Sequence, residues 1–272
     1  MYRGFAFTGD GGGFGGSYQG SAGQAAPGGG PYVFVNAEAE AVVGRFTVPP
    51  DDARKHAYDN FVGALKAAGL WTIAKLPLLY VAGPDEQSSL LNWTNATWNA
   101  TKQSAPVFTA DEGFTGNNST DYIITGATPT LLGLGTVSDT VGFFTGTNSA
   151  TAGLDCGNVA SSGALGSVHA GSTPTVRVNA AASLAIAGGG SAPHHICGVR
   201  RDTSEHIGFR NGAQKTSFVT ANSGTTSTGA IRFGLNNRPG FVVHPYGPAL
   251  SDAEILALSN AITALWATVS AL

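Results

Sequence analysis

Ile196-Cys-Gly-Val-Arg-Arg-Asp-Thr-Ser-Glu-His-Ile-Gly-Phe-Arg-Asn-Gly212 holds two short apolar runs, Ile196–Val199 and His206–Phe209, and ends on Asn211-Gly212. Asn-Gly is the pair that best tolerates two successive positive-φ positions, so it closes two-residue hairpins whose twist matches paired strands. The stretch therefore predicts antiparallel strands with a hairpin at 211–212. Runs of the same kind recur on both sides at Leu76–Val81, Tyr122–Ile124, Thr140–Phe144, Thr175–Val178 and Ala230–Phe233. Turn signals at Gly116-Asn117-Asn118 and Asn236-Asn237 separate them. Many short strands at this spacing predict a mainly β chain, a two-sheet antiparallel jelly roll or sandwich. No fixed-period repeat points to a solenoid or propeller.

Helices flank this region. Asp51 and Asp52 open one near 51–68: Tyr58, Phe61, Val62 and Leu65 recur at three- and four-residue spacing, and Gly69 is placed to end it. A second, near 252–270, begins with the capping box Ser251-Asp252-Ala253-Glu254. Its stripe of Ile255, Leu258, Ile262, Leu265 and Val269, with Trp266 beside it, has three readings. It packs on the sandwich, it forms a seam between protomers, or it anchors in a membrane. The chain after Glu254 is uncharged, which lacks the flanking ion pairs of a coiled coil. It is also short and carries Ser259, Asn260, Thr263 and Ser270, which argues against a membrane span. Upstream, Pro31-Tyr-Val-Phe-Val35 and Arg45-Phe-Thr-Val-Pro49 read as extended pieces. The expected division is an arm over 1–48 and a helix-flanked jelly roll over 49–272.

The arm is distinctive in composition. Residues 1–30 hold 12 glycines with Tyr2, Phe5, Phe7, Phe14 and Tyr18 interleaved, a segment that buries no core of its own but offers aromatic side chains to a partner. Gly11-Gly-Gly-Phe-Gly-Gly16 matches a dinucleotide-binding glycine pattern, yet no βαβ unit surrounds it. Across the 272 residues, 39 Gly and 13 Pro exclude a helical bundle, while 42% hydrophobic residues exclude wholesale disorder. Only 11% are charged, against about 25% in ordinary soluble domains. The net charge of −3 disfavours nucleic-acid binding through a general basic field. The N-terminus shows no apolar signal region, so folding in a reducing cytosol is expected. Cys156 and Cys197 then read as separate buried thiols, and the Asn-x-Ser/Thr matches at Asn92, Asn95, Asn99, Asn117 and Asn118 as chance.

Candidate chemistry is sparse. Glycosidic cleavage needs two carboxylates on one face, and the close pair with alternate spacing is Glu38 and Glu40, outside the strand-rich region. A solvated charged face accounts for them as well, and Asp111-Glu112 would face opposite ways in a strand. His194-His195-Ile-Cys197, with Cys156 and His169, is the densest metal-capable cluster but lacks paired ligands at its second end. Asn117, Asn118, Asp121 and Asp111 offer oxygen ligands without a defined calcium-loop signature. Neither a Gly-x-Ser-x-Gly elbow nor a phosphate-binding glycine loop is present. No cofactor is expected. Arg200, Arg201, Arg210, Lys215, Arg232 and Arg238 make the second half locally basic, either a patch for an acidic polysaccharide or ordinary solvated strand edges.

Two groups of motifs resemble a known family. Phe61-Val-Gly-Ala-Leu-Lys-Ala-Ala-Gly-Leu-Trp71, Leu90-Leu-Asn-Trp93, Asn99-Ala-Thr101, Phe108-Thr-Ala-Asp-Glu-Gly-Phe-Thr-Gly116, Asp121-Tyr122 and Thr125-Gly126 resemble the opening of a group of tailed-bacteriophage virion proteins. Gly208-Phe-Arg-Asn-Gly212, Phe233-Gly-Leu-Asn236 and Leu250-Ser-Asp-Ala-Glu-Ile255 resemble the closing strands and terminal helix of concanavalin-like, laminin-G-like jelly rolls. The resemblance implies a virion accessory protein of tail fibre, tail tip or capsid that binds host-surface glycans. It would fold in the host cytoplasm, attach to other virion proteins through the arm, and assemble as a homo-oligomer, a trimer being favoured. Trp93, Trp98 and Tyr122 are then the candidates for stacking on sugars, although such aromatics serve a core equally well. The family's glycanase relatives carry an acidic triplet that this chain lacks, so hydrolysis does not carry over. A structural connector without ligand is the alternative.

Overall fold

The computed structural model describes residues 31–272 except 118, 134–137, 147–153, 159–166, 170–173, 180–182, 187–192, 220–228 and 236–238. In chain order the described elements begin with helices α1 (Ala37–Val43) and α2 (Asp52–Ala67), strand β1 (Tyr80–Val81) and the short helix α3 (Glu86–Ser89). Strands β2 (Thr101–Gln103), β3 (Val107–Thr109), β4 (Gly113–Thr115), β5 (Tyr122–Ile124), β6 (Asp139–Thr145), β7 (Leu154–Gly157) and β8 (Ser167–His169) follow. Then come β9 (Thr175–Arg177), β10 (Leu184–Ala185), β11 (His194–Arg200), β12 (Glu205–Arg210), β13 (Ala213–Val219), β14 (Arg232–Phe233), β15 (Val242–Pro248) and helix α4 (Asp252–Val269).

The strands form two antiparallel sheets, as the strand pattern predicts. One has six strands in the order β1-β15-β6-β11-β12-β13, the other seven in the order β10-β9-β8-β7-β14-β5-β2, and β3-β4 is a separate hairpin. The β12–β13 turn is Asn211-Gly212, with φ of 50° and 78°, the two positive values that an Asn-Gly hairpin supplies.

The six-stranded sheet is covered on both faces, so β6, β11 and nearly all of β15 are buried throughout. Period-two alternation divides their side chains. Val141, Phe143, Ile196 and Val243 join Ile123, Cys156, Val176 and Phe233 of the second sheet in the core between the sheets. The sheets approach closely at Gly198, where an added Cβ would sit 2.8 Å from Val176. On the other face, Phe144, Cys197, Val199, Ile207, Phe209 and Val242 pack under α1, α2 and α4. The molecule is thus layered helices, six-stranded sheet, seven-stranded sheet.

Each long helix has its expected ends. Asp51 Oδ1 accepts from Arg54 N at 2.8 Å, and α2 closes with Leu70 N donating to Leu65 O at 2.8 Å and Gly69 N to Lys66 O at 2.9 Å, with Gly69 at φ 68°. Ser251 and Glu254 complete the capping box of α4. Ile255, Leu258, Ile262, Leu265 and Val269 are each 2% exposed or less and pack inside this chain. The stripe offered as an oligomer seam is therefore filled by α2 and the sheet. No helix among the described residues is long and apolar enough to cross a membrane.

Residues 31–48 depart from the expected arm. Pro31–Val35 forms no strand; instead buried Asp59 of α2 accepts from Tyr32 Oη at 2.8 Å, Val35 N at 2.6 Å, Asn36 N at 2.8 Å and Asn36 Nδ2 at 2.7 Å. Ala39, Val42, Val43 and Phe46 enter the helix-side core. The compact body begins at Tyr32 because these apolar residues have a face of α2 to bury against.

Candidate functional site

On the face of the seven-stranded sheet away from the six-stranded one, where Asp155 is buried and Arg232, Arg177 and Tyr122 are half-buried, two side chains meet. In β14, Phe233 is 3% exposed and enters the core, so its neighbour Arg232 points outward. In β5, Ile123 is buried and Tyr122 points outward by the same alternation. Arg232 is cross-strand from Ile124, diagonal to Tyr122, and its guanidinium carbon stands 4.3 Å from the Tyr122 ring centroid. That is a close cation–π contact, which fixes a long side chain that would otherwise rotate. Gln103 of β2 lies opposite Tyr122 on the other side.

The remaining expected aromatics divide. Trp93 is 3% exposed and packs edge-on against Tyr58 at 5.2 Å and Phe61 at 6.0 Å, with Phe46 at 6.4 Å, so it is core and reaches no sugar. Trp98 is half-buried against the core between the sheets, and its carbonyl accepts from Tyr80 Oη at 2.6 Å. Tyr122 is half-buried, and the stacked guanidinium occupies one face of its ring. Tyr2, Phe5, Phe7, Phe14 and Tyr18 lie outside the described residues.

The basic residues do not form one patch. Arg200 is fully buried and donates from Nε to Val178 O at 2.8 Å, whereas Arg201 pairs with Asp252 at 2.5 Å near the start of α4. Arg210 and Lys215 line a cavity of about 360 Å³ with Asn211 and Ala213, at the hairpin of the six-stranded sheet. Arg232 stands on the other sheet, and Arg238 is outside the described residues.

Expected metal and acid–base groups are separated too. Cys156 belongs to the core between the sheets and Cys197 to the helix-side core, so the six-stranded sheet divides them and no disulfide joins them. His194 and His195 alternate to opposite faces of β11. The side chain of His169 and residue Asn118 lie outside the described residues. Asp111 is held by Arg54 at 2.5 Å, and Asn117 Oδ1 accepts backbone N–H groups of Ser119, Thr120 and Asp121, so neither is left to gather a cation. Among the described residues no group of three or more His, Cys, Asp or Glu is arranged to hold a metal. Glu38 pairs with Lys66 at 2.7 Å on the surface of α1, and Glu40, two positions on, points about 200° around the helix. They do not face one substrate.

Two buried polar groups escaped the sequence reading. His195 Nδ1 lies 2.5 Å from Ser259 Oγ of α4, and His195 Nε2 lies 2.8 Å from His244 Nε2. Burial, together with the neighbouring His244 and His194 for His195, holds His195 well below its ordinary value, and burial drops His244 to about 3, so both rings are neutral. On the opposite face, Asp139, Arg200 and His206 form one cross-strand row. Asp139 accepts from Asn179 Nδ2 and Tyr246 Oη, yet burial dominates and raises its carboxyl to about 7. His206 falls to about 4, again through burial first, with Arg200 adding to the shift. These groups are 0–2% exposed, and their burial closes them to a substrate. Of these groups, His195 carries a sequence signal as part of the histidine pair and Arg200 as one of the basic residues.

No family model and no curated protein matches the chain. Solved structures that resemble it include the receptor-binding domain of a botulinum neurotoxin C/D mosaic serotype, at 11% identity and TM-score 0.45 over 68% of this chain and 51% of that one. Another is from botulinum neurotoxin type C, whose cell entry depends on interaction with two ganglioside molecules, at 10% identity and TM-score 0.49 over 72% and 53%. A third is the binding domain of Paraclostridial Mosquitocidal Protein 1, at 13% identity and TM-score 0.42 over 68% and 52%. The chain spans about half the length of these structures. At this level of similarity nothing follows about a shared ligand.

Proposed function

We propose that the chain is a non-catalytic, carbohydrate-binding jelly roll of a tailed-bacteriophage virion that presents the outer face of its seven-stranded sheet to host-surface glycans. The observation that carries the binding part is the stacked Arg232–Tyr122 pair on a sheet face away from α1, α2 and α4. A planar aromatic, a fixed guanidinium and the amide of Gln103 supply the mixed apolar and hydrogen-bonding surface that sugar rings require. The virion part is supported by the order and spacing of the two motif groups and by the glycine-aromatic composition of residues 1–30, the proposed attachment. Self-association, a trimer in this reading, would use a face other than the buried stripe of α4.

Glycan-array binding of the full chain tests the reading. Binding to bacterial surface saccharides, weakened by Tyr122→Ala, is the expected result. Absence of binding at millimolar saccharide would replace it with a structural connector. Hydrolysis of a bound saccharide, lost in the Glu38→Gln/Glu40→Gln double variant, would replace it with an enzyme.

A further inference from the structure

We propose that the outer face of the seven-stranded sheet recognises carboxylate-bearing saccharides, with Arg232 as the carboxylate receptor; this rests on the carbohydrate-binding reading above. Arg45 donates to the Asn92 carbonyl at 2.8 Å, Arg54 pairs with Asp51 and Asp111, and Arg201 pairs with Asp252. Lys55, Lys66, Lys75 and Lys102 each have a carboxylate within 2.7 Å. Arg232 has none. None of the ion pairs among the described residues involves it.

Its Nε is also buried and meets no acceptor. A guanidinium is a planar fork that matches a carboxylate through two parallel hydrogen bonds. Stacking on Tyr122 at 4.3 Å sets the plane of that fork before a ligand arrives, which lowers the ordering cost of binding. In a chain with so few charges, a preset and unmatched guanidinium is a specific feature.

The register supplies a second contact point. Phe233 pairs with Cys156, Cys156 with Val168 and Val168 with Val176, which orders β14, β7, β8 and β9 side by side. One residue along each outer strand of this set, Arg232 faces Gly157 and Arg177 faces Ser167. Val176 is fully buried, so Arg177 shares the outward face with Arg232. Three strand spacings place the two arginines about 14 Å apart. Gly157 adds no side chain beside Arg232. An acidic oligosaccharide laid across the strands would bring one carboxylate to Arg232 and then pass over the strand that carries Arg177.

The test is calorimetry on the full chain with oligogalacturonate and with the same oligosaccharide methyl-esterified, which removes the charge and keeps the sugar. The acid form is expected to bind at least tenfold more tightly, and Arg232→Gln to lose about tenfold for the acid form alone. Arg232→Lys, which keeps charge but loses the fork, should recover only part of that. Unchanged thermal melting of these variants confirms that they fold. Equal binding of acid and ester, or acid binding that Arg232→Gln leaves intact, overturns the proposal while the carbohydrate-binding reading stands. Tighter binding of a sulfated oligosaccharide than of the carboxylate also overturns it. No binding of acidic or neutral saccharides overturns both.

Discussion

His195 and His244, 49 residues apart in sequence, meet ring to ring with Nε2 atoms 2.8 Å apart between the six-stranded sheet and α4. One nitrogen must donate and the other accept, so a second proton on the accepting ring breaks the contact. The unfolded chain takes up these protons near pH 6.5, while the folded chain resists: His244 until about 3, His206 until about 4, and His195 until well below its ordinary value. Stability due to the neutral histidines is therefore complete above pH 6.5 and declines as pH falls below it. Asp139 opposes them. Its folded carboxyl keeps a proton up to about 7, so its contribution is present at low pH and is lost as pH rises toward 7. His244 and His206 against Asp139 leave a net of one proton, or roughly 1 kcal/mol per pH unit between pH 6 and 4.5, and His195 steepens the slope in the same direction. Urea denaturation across that interval measures the slope. A flat profile contradicts the assignment.

Gly142 makes room for that pair. It faces His244 across β6 and β15, and an added Cβ would lie 1.9 Å from His244 Nε2. Gly142→Ala is expected to displace the ring and cost about 1–3 kcal/mol, the usual range for overpacking a close-packed site. Denaturation at pH 7.5 reads the loss, and the acid slope should change with it. A variant as stable as the parent would mean that the histidine contact is not close.

Asp59 ties the segment before α1 to α2. Its carboxylate takes four hydrogen bonds from Tyr32, Val35 and Asn36, and those bonds hold its pKa below the ordinary value despite burial. Asp59→Ala leaves the Val35 and Asn36 N–H groups without their acceptor, at a cost of roughly 3 kcal/mol. Limited proteolysis should then cut between residues 31 and 36, where the parent resists. Equal resistance would show that the segment is held by Phe34 and the α1 contacts alone.

The sheets were legible in sequence where short apolar runs ended on turn residues, as at Ile196–Gly212. Strand β15 was not, because Val242-Val-His-Pro-Tyr-Gly-Pro248 carries two prolines and a glycine; the register slips between His244 and Gly247, and a bulge there tolerates Pro245. Strand β13 follows from the Asn211-Gly212 hairpin rather than from an apolar run of its own, and its polar Gln214-Lys-Thr-Ser217 suits a sheet edge. The spacing of the α4 stripe shows an apolar face, but periodicity alone does not say which surface covers it. The same limit applied to Trp93, whose indole is as suitable for a core as for a sugar. Tyr122 was identified and Arg232 was counted among the basic residues, yet nothing local in sequence joins positions 110 residues apart.

Hydrogen–deuterium exchange of the full chain, with and without a bound saccharide, tests most directly whether the outer face of the seven-stranded sheet is the binding surface. Protection concentrated at Tyr122–Ile124 and Arg232–Phe233, with the Arg210–Lys215 hairpin unchanged, is the predicted result. Protection at that hairpin with β5 and β14 unchanged would contradict it.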